Sequence, residues 1–337
     1  MERMRAVVLT GAGGPEVLEV REVERPVPGA EQVLVRVRGS ALNRADLLQR
    51  EGRYPAPPGA AAEIPGIEFA GEVAATGPGA RLWREGNRVF GIIGGGAHAE
   101  YLVAHERTLA AAPSELSWEE AGSTPEAFIT AHDALVERAE VRPSERVLIH
   151  AVGSGVGLAA VQLARAFGAV PYGTARTAQK VEAARAYGLE GGAALGGAPE
   201  ELARALGEHV AAWTGGAGVD VVLDLVGGPY VRASVGVLAL KGRLVLIGTV
   251  AGGEGTIPLG RALAQRVTIR GTVLRARPLE ERILATRAFA AEVGPLLARA
   301  AVRPVIDSVF PLEAIRAAHE RLGSNATFGK VALRIAG

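Results

Sequence analysis

Apolar and polar side chains alternate through the first third of the chain, at residues 4–10 (MRAVVLT), 17–23 (VLEVREV) and 32–40 (QVLVRVRGS), with Pro- and Gly-containing turns between. Such alternation predicts strands with one face in a core and one in water. Residues 67–77 and 97–104 extend the pattern, which predicts a partly open β-barrel interrupted by one helix at 41–50. From Trp118 the texture changes to Ala-rich helical segments. Strand candidates at 147–149, 169–173, 220–226, 243–248 and 267–271 alternate with helical patterns at 178–187, 199–213, 229–240 and 259–265. Strict alternation of strand and helix predicts a doubly wound parallel sheet. The tail reverts, with a helix at 279–293, a strand near 302–310, a helix at 312–322 and a last strand, GKVALRI. The expected fold class is α/β, a barrel domain at 1–123, a doubly wound domain at 124–267, and a segment at 268–337 returning to the first.

The most informative stretch is RVLIHAVGSGVGLAAVQLARAFGA, residues 146–169. A short aliphatic run leads through Gly153, Gly155 and Gly157 into an amphipathic helix that stops at Gly168. Glycines permit close backbone approach, and the first N–H groups of the helix suit a pyrophosphate. Leu158 stands where the third glycine of the usual G-x-G-x-x-G would fall. Dinucleotide sites selective for NAD carry an acid about 20 residues past the glycines. Here no Asp or Glu occurs between Gly153 and Val181, while Arg176 and Lys180 flank the end of the next strand. A guanidinium can pair with a 2′-phosphate, so the pattern reads as NADP(H). Either cation alone is equally well a solvated loop residue.

At 337 residues, 48% apolar and 22% charged, the chain suits two globular domains. A net charge of +1 gives no electrostatic case for nucleic acid or a membrane surface as partner. No leader pattern and no 18-residue apolar run is present, so a cytoplasmic location is expected. The absence of cysteine removes thiol nucleophiles and cysteine-based zinc sites.

The chain resembles the zinc-independent quinone oxidoreductases of the medium-chain dehydrogenase/reductase superfamily, the zeta-crystallin-like group, and within it the stress-inducible NADPH quinone reductase branch. The motifs are GGPEVLEV, ALNRADLLQR, PGIEFAGEV, PEAFITA, HAVGSGVGLAAVQLARAFGA, GVDVVLDLVGG, GRLVLIG and FGKVAL, in order. The resemblance implies a chaperonin-10-like barrel, a Rossmann domain and a cleft between them. It implies that Ser154, Gly155, Val156 and Gly157 form the pyrophosphate turn and that Arg176 and Lys180 lie at the 2′-phosphate, Arg176 standing where many relatives have glycine. It further implies cofactor contacts for Tyr54, Thr130, Gly248, Thr249, Thr272, Val273, Leu274 and Thr327, the last standing where close relatives have asparagine. Zinc-dependent relatives carry cysteine at the position of Asn43 and histidine at that of Ile67. No metal is therefore expected, and the six histidines read as structural or surface residues.

Without a Lewis acid, alcohol oxidation lacks a means of activation, whereas a quinone is already electrophilic and needs mainly positioning. Asn43 and Tyr54 are the catalytic candidates, with Gln49 a weaker one. An amide can donate to an oxyanion, and a phenol can donate or stack. Their alternatives are a helix cap for Asn43 and a packing role for Tyr54 in the loop at 52–66, which is expected to wall or cover the cleft. The expected activity is NADPH:quinone oxidoreduction. The rivals are an NADPH-dependent enoyl-thioester reductase and a non-catalytic, nucleotide-gated binding protein. The resemblance also implies a homodimer, paired through an edge strand of the cofactor sheet at 243–248.

Overall fold

The computed structural model describes residues 2–335. The chain forms two compact units, Met1–Ile129 with Leu274–Gly337, and Thr130–Val273.

In the first unit β1 (Arg3–Leu9) and β2 (Leu18–Glu24) make an antiparallel pair. The larger sheet is built on β3 (Gln32–Leu42), whose alternating Val33, Val35 and Val37 are fully buried. After α1 (Arg44–Arg50) come β4 (Glu68–Thr76), β5 (Arg88–Ile92), β6 (Tyr101–His105) and β7 (Leu109–Ala111). Helices α2 (Trp118–Gly122) and α3 (Pro125–His132) follow, and the chain passes to the second unit within α3.

The second unit alternates throughout: β8 (Arg146–Ile149), α4 (Gly155–Ala166), β9 (Val170–Ala175), α5 (Ala178–Arg185), β10 (Gly191–Ala194), α6 (Pro199–Thr214), β11 (Val219–Asp224), α7 (Pro229–Val237), β12 (Leu238–Leu246), α8 (Leu259–Gln265) and β13 (Thr268–Gly271). Its strands are all parallel, in the order β10-β9-β8-β11-β12-β13. Val147, Leu148 and Ile149 of β8 are wholly buried, as a central strand covered on both faces requires. This is the expected doubly wound sheet.

The tail supplies α9 (Leu279–Glu292), α10 (Gly294–Ala298), β14 (Ile306–Pro311), α11 (Ile315–Gly323) and β15 (Lys330–Arg334). Strand β15 pairs antiparallel with β3 and completes the first unit's sheet, in the order β14-β15-β3-β4-β5-β7 with β6 also on β3. Phe69, Val331 and Leu333 join the valines of β3 in one core. Among the described residues no helix is long and apolar enough to cross a membrane.

Several expectations are corrected. The helix expected at 229–240 ends at Val237, because Leu238 pairs with Val219, and Lys241 then turns the chain at a φ of 61°. The strand expected at 243–248 is not an edge: β12 lies between β11 and β13, and β13 is the outer strand. Ala41 and Leu42 continue β3 opposite Ala332 and Val331 instead of opening a helix. Strands β5, β7 and β10 were not expected. Gly91 interrupts β5, β7 has three residues, and β10 reads Gly-Gly-Ala-Ala, which carries no apolar alternation.

Candidate functional site

In the second unit the strand order reverses direction between β8 and β11. Ligands of open parallel sheets bind beyond the carboxyl ends of the strands at such a switch point. The glycine turn lies there, directly after β8. Ser154 caps α4, its hydroxyl accepting from Gly157 N at 3.0 Å, and Gly155, Val156 and Gly157 form the first helical turn. A Cβ on Gly157 would lie 2.4 Å from the Ala151 carbonyl oxygen, so the turn can close this tightly only with glycine. The first-turn N–H groups stand at the positive end of a 12-residue helix, where an anion is favoured.

Arg176 follows β9 and is exposed; Lys180 sits in the first turn of α5 with its stem against Gly153, a Cβ there falling 3.0 Å from Lys180 Cδ. Positive charge is thus held beside the turn, and residues 153–181 contain no Asp or Glu. Gly248 and Thr249 follow β12, and their loop is tied to the one after β11 by Ala251 N donating to Val226 O at 2.8 Å. Thr272 and Val273 follow β13. The Thr272 hydroxyl donates to Asp133 Oδ2 at 2.5 Å, whereas Val273 is half exposed. Thr130, in α3, is buried.

The first unit gathers a second set of polar residues. Lys330 Nζ donates to Asn43 Oδ1 and Glu68 Oε1, both at 2.6 Å, and to Leu42 O at 3.1 Å. Asn43 Nδ2 donates back to Glu68 Oε1 at 2.8 Å and to Ala41 O at 3.4 Å. The Asn43 amide is therefore committed within the protein. Asn43 also occupies the cap of α1, its backbone N–H donating to Asp46 Oδ2 at 2.7 Å. Glu68 Oε2 accepts from Glu126 N at 2.9 Å. Burial, then repulsion from Glu68, pushes the Glu126 carboxyl up to about 7, against the pull of Lys330.

Tyr54 comes from the Pro- and Gly-rich loop at 52–66. That loop is anchored rather than loose, with Ile64 O accepting from Gly96 N at 2.7 Å and Glu63 O from Leu9 N at 2.8 Å. Gly94 lets it lie close, since a Cβ there would meet Pro57 and Ala60 at 2.8 Å. The Tyr54 ring faces Arg275 with 5.1 Å from its centroid to the guanidinium carbon, and burial raises the phenol above its ordinary pKa. Arg275 donates through Nε to Gly94 O at 2.8 Å and through Nη2 to Gln49 Oε1 at 2.5 Å. Leu274 beside it and Thr327 before β15 are both buried. Lys330, Glu68 and Glu126 were not among the sequence candidates, although PGIEF, PEAF and FGKVAL contain them, and Arg275 stands there only as the end of the matched segment from Thr272.

Two family models match, "Zinc-binding dehydrogenase" over residues 155–290 and "Alcohol dehydrogenase GroES-like domain" over residues 29–114. Human quinone oxidoreductase is 32% identical over 98% of this chain and 97% of its own. The chain belongs to the medium-chain dehydrogenase/reductase superfamily. Among solved structures, an NAD-dependent alcohol dehydrogenase is similar with a TM-score of 0.84 and 32% identity, over 99% of this chain and 100% of that one. A mycobacterial protein solved with NADPH gives a TM-score of 0.85 and 29% identity, over 98% and 99%. The CurK enoyl reductase gives 0.84 and 27%, over the whole of both chains. As a superfamily member the chain is an oxidoreductase of the kind that binds a nicotinamide cofactor, and the switch-point turn fits that group. Zinc, named by one family model, does not fit the residues at 43, 67 and 68. Ile67 offers no donor, and Asn43 and Glu68 already hold an ammonium. Among the described residues no three His, Cys, Asp or Glu side chains gather as a metal site. His98, His132, His150 and His319 are buried, and His209 is exposed.

Proposed function

We propose that this chain is an NADPH-dependent quinone oxidoreductase that works without a metal. The observation that carries the cofactor choice is the end of β9, where Arg176 and Lys180 stand and no acid does. In this reading Ser154, Gly155, Val156 and Gly157 hold the pyrophosphate, and Thr130, Gly248, Thr249, Thr272, Val273, Leu274 and Thr327 border the rest of the cofactor. The bound nicotinamide supplies hydride. Tyr54 offers a flat wall to a planar acceptor, and Asn43, tied to Lys330 and Glu68, is a positioning residue for α1. With Lys330 occupying the Asn43–Glu68 pair, the acceptor must be electrophilic without Lewis-acid help, which favours a quinone over an alcohol couple.

The test follows oxidation of NADPH and NADH in parallel with an ortho-quinone as acceptor. Fast, NADPH-selective turnover is the expected result, and tight NADPH binding without turnover would sink the reading. Arg176→Ala is expected to raise the NADPH KM about 10- to 100-fold, the size of a lost charged hydrogen bond, and to leave the NADH KM within about twofold. Equal effects on both cofactors would remove the 2′-phosphate role.

The likeness to an enoyl reductase supports a second reading, reduction of an enoyl thioester with NADPH. Crotonyl-thioester turnover exceeding that of quinone would favour it. For assembly we propose a homodimer, formed through the outer strand β13 rather than β12, since β13 has an unpaired side within its sheet. Light scattering is expected to give twice the chain mass, and a monomer mass would overturn this.

A further inference from the structure

Arg275 is the odd member among the buried cations described in the first unit, since Arg50 has Glu51 and Lys330 has Glu68 as an ion-pair partner. Lys330 has Glu68 against it at 2.6 Å, but Arg275, only 4% exposed, has neutral hydrogen-bond partners, the Gly94 carbonyl and the Gln49 amide oxygen. Asp46 and Glu126 act on it only through space. Its remaining nitrogen, Nη1, is buried and has no hydrogen-bond partner among the described residues. A buried donor left in this state is destabilising by itself, and an oxygen brought to it by a ligand or a water would relieve that cost.

The guanidinium is also rigid. Gly94 O holds it at Nε and Gln49 holds it at Nη2, while Gln49 is fixed in turn by Nε2 donating to Ala62 O at 3.0 Å. Beside it the Tyr54 ring supplies a flat, half-buried face. A flat wall next to a fixed cation that has no carboxylate hydrogen-bonded to it suits the recognition of a planar conjugated carbonyl compound.

We propose that Arg275 Nη1 is the donor that receives the carbonyl oxygen of the acceptor and the negative charge that develops on it, a catalytic role. This rests on the reduction proposed above. Hydride adds its electron pair to the conjugated acceptor, the C=O π pair moves onto oxygen, and that oxygen, hydrogen-bonded to Nη1, then takes a proton from water. The hydride, and with it the two electrons, would be supplied by a nicotinamide bound in its reduced form. Arg275 is neither consumed nor deprotonated; it lowers the barrier by being placed before the charge appears.

The test separates binding from turnover by using 4-nitrophenol, whose ionised form is coloured, as a probe of the oxyanion site in NADP⁺-loaded protein. The wild type is expected to bind the phenolate and lower its apparent pKa. Arg275→Met is expected to weaken binding at least about tenfold and to cut quinone kcat about 10²- to 10³-fold, as removing an oxyanion donor does. Gln49→Glu keeps the arginine and its packing but places a carboxylate on it, and the same two losses are expected there even should Arg275→Met fold poorly. NADPH affinity is expected to stay within about threefold in both. Equal phenolate affinity in all three proteins, or none in the wild type, overturns the inference. Arg275-dependent phenolate binding with no quinone turnover upholds the oxyanion site and overturns only the quinone assignment.

Discussion

Lys330→Met is expected to lower the unfolding free energy by about 3–5 kcal/mol at neutral pH, the usual cost of removing one partner of a buried ion pair. Glu68 is fully buried, and Lys330 is its one counter-ion within hydrogen-bond distance among the described residues. The substitution leaves a buried carboxylate with only Asn43 Nδ2 and Glu126 N as donors, and the Leu42 carbonyl and Asn43 Oδ1 lose theirs. Nearby Asp46 adds negative charge to the same region. Adding Glu68→Gln removes that charge and keeps an oxygen for Glu126 N, so the double variant is expected to recover most of the loss. The exposed Arg204–Glu208 pair on α6 is the contrast: at 2.7 Å it is as short, yet Arg204→Ala is expected to cost less than about 1 kcal/mol. Urea unfolding of the four proteins decides it. A single-variant loss below that of the surface pair, or a double variant no better than the single, would show that Glu68 is relieved by some other route.

This ion pair also marks where reading the chain stops being enough. The β8–turn–α4 unit is legible because everything that makes it lies within two dozen residues: an aliphatic run, glycines where a Cβ would strike backbone, and a helix with one apolar face. The alternating strands of the barrel are legible for the same reason, since period-two burial is a local property. Lys330 and Glu68 are 262 positions apart and Arg275 and Gln49 226, and no local pattern pairs them. Asn43 shows the intermediate case. Its place before a helix is readable, but the commitment of its amide to Lys330 depends on β15 joining β3, a pairing set by the whole sheet. Strand β10 illustrates a different failure, because Gly-Gly-Ala-Ala extends only where Tyr172, Val181 and Leu189 pack around it.

Lowering the pH from 6.5 toward 4.5 is expected to destabilise the protein through its buried histidines, well before most carboxylates titrate. His150, fully buried between Thr174 Oγ1 at 2.8 Å and Ser234 Oγ at 2.9 Å, is pushed down to about 4 by burial. His319 falls to about 3, chiefly by burial and then by His98 and Arg50, and burial lowers His98 as well. In the unfolded chain His150 and His319 take a proton near 6.5, the ordinary value; in the folded protein they do not until far lower, and His98 shifts in the same direction. The unfolded state therefore binds more protons below 6.5, and stability, fully present above that value, is lost as pH falls toward the folded values. Glu126 works the other way. Raised to about 7 from 4.5, it is protonated in the folded state across this window and contributes stability as pH falls, offsetting one histidine. The balance is a net uptake of one to two protons on unfolding, a slope of roughly 1–3 kcal/mol per pH unit. His319→Leu, which removes two ring nitrogens that have no hydrogen-bond partner among the described residues, is expected to flatten the curve by about one proton, and Glu126→Gln to steepen it by one. Thermal unfolding at constant ionic strength across this pH range reads both slopes. A curve that is level between 6.5 and 4.5, or one that His319→Leu leaves unchanged, would mean that these imidazoles are reached by water in the folded state and titrate there as they do in the open chain.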